Sequence, residues 1–263
     1  MVGCGNMAGA MLSRWLECGL DPADVTVLRP SGRAVAPGVR VMAEWPGTMP
    51  HGAVVVLGMK PQQLGQVAPK LAPLLADNST VVSLLAGVTM QVLRDALGGD
   101  VAMIRAMPNT PVALGQGVCA LYADSGAGET ARNIVVELMA PLGLVEWISD
   151  EGQFNLITAL SGCGPAFVFR FIDAMASAAS DLGMTPDQAQ RLAMATVQGA
   201  ASLAAASSVD PAQLADNVAS PGGMTREGLN VMDNEGRMKA LLLDTLRAAR
   251  DRGEALARQA STS

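Results

Sequence analysis

The sequence predicts an α/β Rossmann-type N-terminal domain followed by an all-α domain, and three observations carry that prediction. Short β-branched runs alternate with stretches of helical period through the first half. A glycine-rich turn heads the first helical run. After Ser149-Asp-Glu151, helical stretches follow one another with no strand run of comparable quality.

The predicted strands are Val25–Leu28, Ala53–Leu57, Thr80–Leu84 and a weaker Val101–Ile104. Runs this uniformly apolar need cover on both faces, as in a parallel sheet wound with helices. Helices are predicted over 151–160, 165–182, 185–206, 211–218 and 225–257. Gly183 ends one of them, and Thr185-Pro186 opens the next as N-cap and first helical residue; Asp210-Pro211 repeats the device. The change of pattern divides the chain into domains 1–147 and 148–263. Phe167–Met175 and Arg191–Leu203 are apolar over most of their surface, which fits burial between subunits better than one wet face.

Half the residues are apolar, 16% are charged and 3% aromatic, so the apolar content comes from Ala, Val, Leu and Met. Such chains often hide surface in an oligomer. A net charge of -6 disfavours nucleic acid and points to a small-molecule substrate. Cys4, Cys18, Cys119 and Cys163 form no C-x-x-C pair, and His51 is the lone histidine, so no metal site is expected and the thiols read as reduced. The longest apolar runs, such as 53–59 and 166–169, fall short of the roughly 18 residues of a spanning helix. With no secretory leader before Gly3, the expectation is a soluble cytoplasmic protein without a membrane partner.

Gly3-Cys-Gly5-Asn6-Met7-Ala8 matches the dinucleotide loop G-x-G-x-x-[G/A]. The first glycine permits the tight turn, the second lets the backbone approach a pyrophosphate, and Ala8 lets helix and strand pack closely. Only Met1 and Val2 precede Gly3, where the motif expects a strand of about five residues, so a weakened sheet centre is expected. A NAD enzyme would carry Asp or Glu after the second strand. Here the chain reads Leu28-Arg29-Pro30-Ser31-Gly32-Arg33, and two guanidinium groups with a hydroxyl suit a 2′-phosphate. NADPH is the predicted cofactor, with NADH the alternative.

Met59, Lys60 and Pro61 end the strongest strand, and Ala86 and Gly87 end the next, which places both loops at the carboxyl edge where open sheets bind ligands. Met107-Pro-Asn-Thr-Pro111 is a rigid polar turn. Asn217-Val-Ala-Ser220-Pro-Gly222-Gly223-Met-Thr225 exposes several N–H donors ahead of a helix, a nest for a carboxylate. Carbonyl reduction needs a proton donor, yet His51 sits in a loop, Tyr122 has no Tyr-x-x-x-Lys partner, and no lysine opens the second half. A cyclic imine explains this, because it arrives protonated from water and needs only orientation. Thr225 is the candidate to meet its nitrogen.

These motifs, with Leu160-Ser-Gly-Cys-Gly-Pro-Ala166, stand in the order found in pyrroline-5-carboxylate reductases, and the chain resembles that family over nearly its whole length. The resemblance implies hydride transfer from NADPH or NADH to the C=N of Δ1-pyrroline-5-carboxylate, giving L-proline. It implies a helical domain that intertwines with a second subunit, and homodimers that in many members assemble into rings. Carried over by position, Ser220, Gly222, Gly223 and Thr225 hold the substrate, Asn217 meets cofactor and substrate, and Glu151 lines the site. Phe167 departs from the tyrosine common in the family. Two other readings stay open: a reductase of the six-membered cyclic imine, and a catalytically silent NADP-binding dimer.

Overall fold

A mixed sheet organises the first half of the chain in the computed structural model, which describes residues 1–76, 78–98 and 101–260. In chain order it contains α1 (Asn6–Glu17), β1 (Thr26–Leu28), β2 (Arg40–Met42), β3 (Val54–Leu57), α2 (Leu64–Leu71), β4 (Thr80–Ser83) and α3 (Met90–Leu97). There follow β5 (Ala102–Pro108), β6 (Gly117–Tyr122), α4 (Glu129–Met139) and β7 (Gly143–Trp147). β1 pairs with β2, and β3, β4 and β5 lie side by side, all parallel; β6 runs antiparallel to β5, and β7 pairs parallel to β6.

The wholly parallel sheet expected from sequence is therefore corrected at β6. A parallel return needs a crossover of about a dozen residues or more, and the Pro-rich connection between Pro108 and Gly117 has no room for one. β2, β6 and β7 carry no strong signal: β2 has three residues with Arg40 outermost, and β6 and β7 open on Gly117 and Gly143, whose backbones touch.

The strand before Gly3 is two residues long, and it still closes the sheet. Val2 bridges Leu28 on one side and Leu57 on the other. Its amide N–H donates to the Val56 carbonyl at 2.8 Å, Gly58 N–H donates to Val2 O at 2.9 Å, and Leu28 N–H to Met1 O at 2.9 Å. These bonds join the β1–β2 pair to the five-stranded sheet, and Val2 is buried. The Met1 ammonium donates to Thr26 O at 2.7 Å, and burial pulls it down to about 6.

Strand side chains alternate between two cores. Val56, Val82, Ile104 and Leu121 pack with Met11, Leu12 and Trp15 of α1 and with Val135 and Met139 of α4. Val55, Leu57, Val81 and Met103 pack with Leu64 and Leu71 of α2 and with Leu93 of α3. Both faces are covered, as the apolar runs require.

One ion pair fastens this layer. Arg94 of α3 reaches Asp124 through two bonds, Nε to Oδ2 at 3.0 Å and Nη2 to Oδ1 at 2.8 Å. The Arg94 hydrogen bonds hold the Asp124 carboxyl below the usual range. A depressed carboxylate contributes stability that is present above its unfolded value, near about 3.9, and lost as pH falls through the lower folded value. Asp124→Asn is expected to cost about 1 kcal/mol at pH 7 and almost nothing below the folded value. Urea melts of both proteins at neutral and acid pH check this, and an equal difference at both would refute it.

The helical half opens with a 3₁₀ turn at Glu151–Gln153, a short α5 (Phe154–Ile157) and a π-helical turn at Thr158–Gly162. The long helices follow: α6 (Gly164–Asp181), α7 (Pro186–Ala206), α8 (Pro211–Asn217), α9 (Met224–Asp233) and α10 (Arg237–Ala260). The helix expected to run on from Thr225 is broken before α10, where Glu235 takes φ 55°. Asp210 caps α8 by accepting from Gln213 N–H. Thr185 stands at the N-cap of α7 without a side-chain bond.

Two compact units result. One contains Met1–Cys163 with the end of the chain from Ala249, the other Gly164–Ala248. The turns after Glu151 fall in the first of these units, and the side chains that hold them there are described below. The last three residues of the expected second domain lie outside the described residues.

In the second unit the buried apolar residues among those described are Ile172, Ala189, Ala193 and Ala219. Phe169 is 64% exposed, Leu203 61% and Val231 70%, too much apolar surface for a finished exterior. By length and composition the helical stretch Glu151–Asp181 also meets the measure of a membrane-crossing helix, which short apolar runs did not suggest.

Candidate functional site

The cofactor loop is built by three small residues. Gly3 takes φ +80°, and a Cβ there would lie 2.8 Å from Met59 N. A Cβ on Gly58 would lie 2.7 Å from the Ala8 Cβ and 3.1 Å from Gly3 O, so the end of β3 packs directly on the Ala8 methyl and the Gly3 backbone. At Gly5 the nearest atom to such a Cβ is Gly58 O at 3.8 Å. The first and third motif positions therefore serve packing, while the second is less crowded. Gly5 caps α1 without a side chain, leaving the first-turn amides of Asn6, Met7 and Ala8 to a ligand.

This loop borders a cleft of about 940 Å³ at the carboxyl ends of β1, β3, β4 and β5, marked by Leu28, Gly58, Leu84 and Pro108. Gly3, Gly5, Asn6, Met7, Ala8, Arg29, Ser31, Met59 and Lys60 all line it. A pyrophosphate fits the glycine cradle and its open amides, so a dinucleotide suits this site. Pro61 lies just outside the lining, where it opens a 3₁₀ turn in which Lys60 N–H donates to Gln63 Oε1 at 3.0 Å.

Other expected residues stand elsewhere. Arg33 is exposed and outside the lining, its N–H 3.5 Å from Ser31 Oγ. Ala86 and Gly87 are also outside it; Gly87, at φ +76°, has the Ala257 backbone 3.7 Å from where a Cβ would be. Trp45, Gln63, Gln66, Val67 and Lys70 line the cleft although sequence reading passed over them. The spacing of 63, 66, 67 and 70 is a helical stripe, and that was the available signal.

On the same unit, Arg105 of β5 is buried and donates to Glu151 Oε1 at 2.6 Å, with its guanidinium 4.0 Å from the Phe154 ring centre. Desolvation pulls the Arg105 pKa down, and the bond to Glu151 opposes it. Glu151 Oε1 also accepts Met90 N–H at 2.6 Å, capping α3 from a distance. Glu151 is thus engaged by the protein and is not among the cleft's lining. Asn109 is buried too: its Nδ2 donates to Ser161 O at 2.8 Å, and its Oδ1 accepts Val118 N–H at 2.8 Å. The polar turn at 107–111 and the Ser-Gly-Cys-Gly-Pro segment, separate signals in the sequence, are one hydrogen-bonded assembly. Arg105 and Asn109 hold the 151–163 turns to the sheet.

The second unit carries the other predicted cluster. Ser220, Gly222, Gly223 and Thr225 occupy the turn from α8 into α9, with Gly222 at φ +69° and Gly223 N–H donating to Ser220 O at 2.9 Å. Gly223 caps α9 with no side-chain bond, so the amides of Met224 and Thr225 head the helix uncapped. Thr225 is exposed. Asn217 ends α8, its Oδ1 accepting from Gln213 Nε2 at 3.0 Å. Among the described residues, no group of three or more His, Cys, Asp or Glu is placed to hold a metal.

A sheet with a glycine cradle at its carboxyl edge, followed by a helical half, is the plan of a dinucleotide-dependent oxidoreductase. Residues 1–87 match a family model described as NADP oxidoreductase, coenzyme F420-dependent, and residues 151–256 match one described as pyrroline-5-carboxylate reductase dimerisation. The chain is 34% identical to the pyrroline-5-carboxylate reductase of Pseudomonas aeruginosa, over 98% of this chain and 96% of that one. Its counterpart in Glycine max is 35% identical over 97% and 94%. The structure of the Coxiella burnetii enzyme superposes with a TM-score of 0.87 at 32% identity, covering 97% of this chain and 96% of that chain. The chain belongs to the pyrroline-5-carboxylate reductase family.

Proposed function

We propose that the protein reduces Δ1-pyrroline-5-carboxylate to L-proline with NADPH, NADH serving as the weaker alternative. The observation that carries this reading is the presence, in one chain, of a dinucleotide cradle and a glycine-rich turn bearing the Ser220 and Thr225 hydroxyls, with a match to its relatives over nearly their whole length.

Bound NADPH supplies a hydride to the imine carbon. The protein's part is orientation. Amides of Asn6, Met7 and Ala8 hold the pyrophosphate, Arg29 and Ser31 meet the 2′-phosphate with Arg33 adding to the local positive field, and Met59, Lys60 and Pro61 flank the nucleotide. Ala86 and Gly87, which follow β4 outside the cleft's lining, would offer backbone contacts to the nicotinamide ribose. Amides of Gly222, Gly223 and Thr225, with Ser220, hold the substrate carboxylate, and Asn217 reaches both cofactor and substrate. The Thr225 hydroxyl accepts the N–H of the protonated imine and keeps that contact as the nitrogen becomes an amine. The proton comes from water, so no general acid is needed. Glu151 stands outside the cleft's lining and fastens the 151–163 turns to the sheet through Arg105 and Met90.

The division of labour follows 1–147 for cofactor and 148–263 for substrate and dimerisation. The exposed faces of α6 and α7 pair in a homodimer rather than in a membrane. Light scattering in detergent-free buffer should read a dimer mass, or an even multiple where dimers form rings, from a cytoplasmic fraction.

The deciding assay is NADPH oxidation with the five-membered imine and with its six-membered homologue. Faster turnover of the five-membered ring supports the reading; cofactor binding without turnover of either ring would replace it with a silent homologue. Arg29→Ala should raise KM for NADPH about tenfold, about 1.4 kcal/mol of binding, and leave KM for NADH within twofold. Equal shifts for both cofactors would remove Arg29 from the 2′-phosphate.

A further inference from the structure

The cleft has an electrostatic character that the nucleotide loop alone does not explain. Its lining contains three cations, Arg29, Lys60 and Lys70, and no Asp or Glu. The chain as a whole carries 24 acids against 18 Lys and Arg, so an acid-free concavity is not the average of this surface. Lysine is scarce, at positions 60, 70 and 239 only, and two of the three face this cleft. No ion pair among the described residues engages Arg29, Lys60 or Lys70, whereas Arg14, Arg94, Arg105, Arg170, Arg226 and Arg250 all have carboxylate partners.

α2 explains how Lys70 comes to be there. Leu64, Ala68 and Leu71 are buried in the sheet's second core, which fixes the helix rotation. Gln63, Gln66, Val67 and Lys70 then fall on the stripe facing the cleft. Side chains on a helix lean toward its N-terminus, and the N-terminus of α2 follows the carboxyl end of β3. The Lys70 stem therefore leans back toward the edge where Arg29 and Ser31 stand. Arg33, the other cation the sequence offered for this task, lies outside the lining.

We propose that Lys70 is a specificity-determining residue that, with Arg29, forms a two-cation clamp for the 2′-phosphate of NADPH. This rests on the reading of the cleft as the NADPH site and names a residue of α2 that selects between the phosphorylated and unphosphorylated cofactor. Lys60, beside the glycine cradle, serves the pyrophosphate end and does not discriminate.

The test is binding, with no turnover required. Trp45 lines the same cleft, so quenching of tryptophan emission reports NADPH and NADH, and calorimetry reports adenosine 2′,5′-bisphosphate and adenosine 5′-monophosphate. Lys70→Met is expected to weaken NADPH and the bisphosphate about tenfold, about 1.4 kcal/mol, and to leave NADH and the monophosphate within twofold. Lys70→Arg should retain most of the affinity. Lys239→Met, which removes the same charge from the second unit, should change nothing. Equal weakening of both members of each pair, no weakening, or the same loss with Lys239→Met would overturn the clamp. Selective weakening in a protein that turns over no cyclic imine would sink the proposed reaction and leave the clamp standing.

Discussion

Glu151→Ala is expected to lower the free energy of unfolding by about 3 kcal/mol, the toll of leaving a buried guanidinium without its carboxylate. The Arg105 side chain is 5% exposed, and its Nη1 sits 2.6 Å from Glu151 Oε1. The same oxygen takes the Met90 N–H, so removing it also uncaps α3. Phe154 stacks on the guanidinium from the 151–163 turns, and those turns would loosen with it. Glu151→Gln keeps an acceptor for both donors and should recover roughly half of the loss. Replacing both partners, Arg105→Met with Glu151→Leu, should cost less than Glu151→Ala alone, because no charge is then stranded. Urea unfolding of the three proteins measures this. A loss below about 1 kcal/mol for Glu151→Ala would mean that water reaches Arg105 and that the pair is not a fastening of the fold.

How much of this was legible in the sequence depends on range. Gly3, Gly5 and Ala8 act over a few residues, and the structure gives each the packing or openness expected of its place in the motif. Three of the four predicted strands carry clustered β-branched residues and the fourth, Val101–Ile104, is weaker; β2, β6 and β7 owe their place to neighbours, and Gly117 against Gly143 is a contact no local pattern announces. Val2 shows the same limit in reverse. Two residues look too few for a strand, yet both flanks supply hydrogen-bonding partners at 2.8–2.9 Å. Glu151 was visible as a residue of interest, but its bond to Arg105 spans 46 positions, and Asn109 to Ser161 spans 52. Lys70 was hidden because its stripe faces a wall that only the folded sheet provides.

Thr225→Ala should reduce kcat/KM for pyrroline-5-carboxylate at least about tenfold, or 1.4 kcal/mol of transition-state binding. The hydroxyl is exposed at the head of α9, so its loss should leave unfolding unchanged within about 0.5 kcal/mol. Thr225→Ser should recover most of the rate and Thr225→Val none, separating the hydroxyl from the shape of the side chain. A sharper experiment follows from placing the nest and the cradle on different units of the chain. If the Thr225 loop of one subunit completes the cofactor site of the other, two impaired variants should rescue each other. Thr225→Ala subunits can be unfolded and refolded together with subunits whose cradle is blocked by Gly5→Asp. Half the dimers are then mixed, and in each mixed dimer one site receives both lesions and the other receives neither, giving about a quarter of wild-type activity. Were each chain to build its site alone, every site would carry one lesion and the mixture would stay as inactive as its parents.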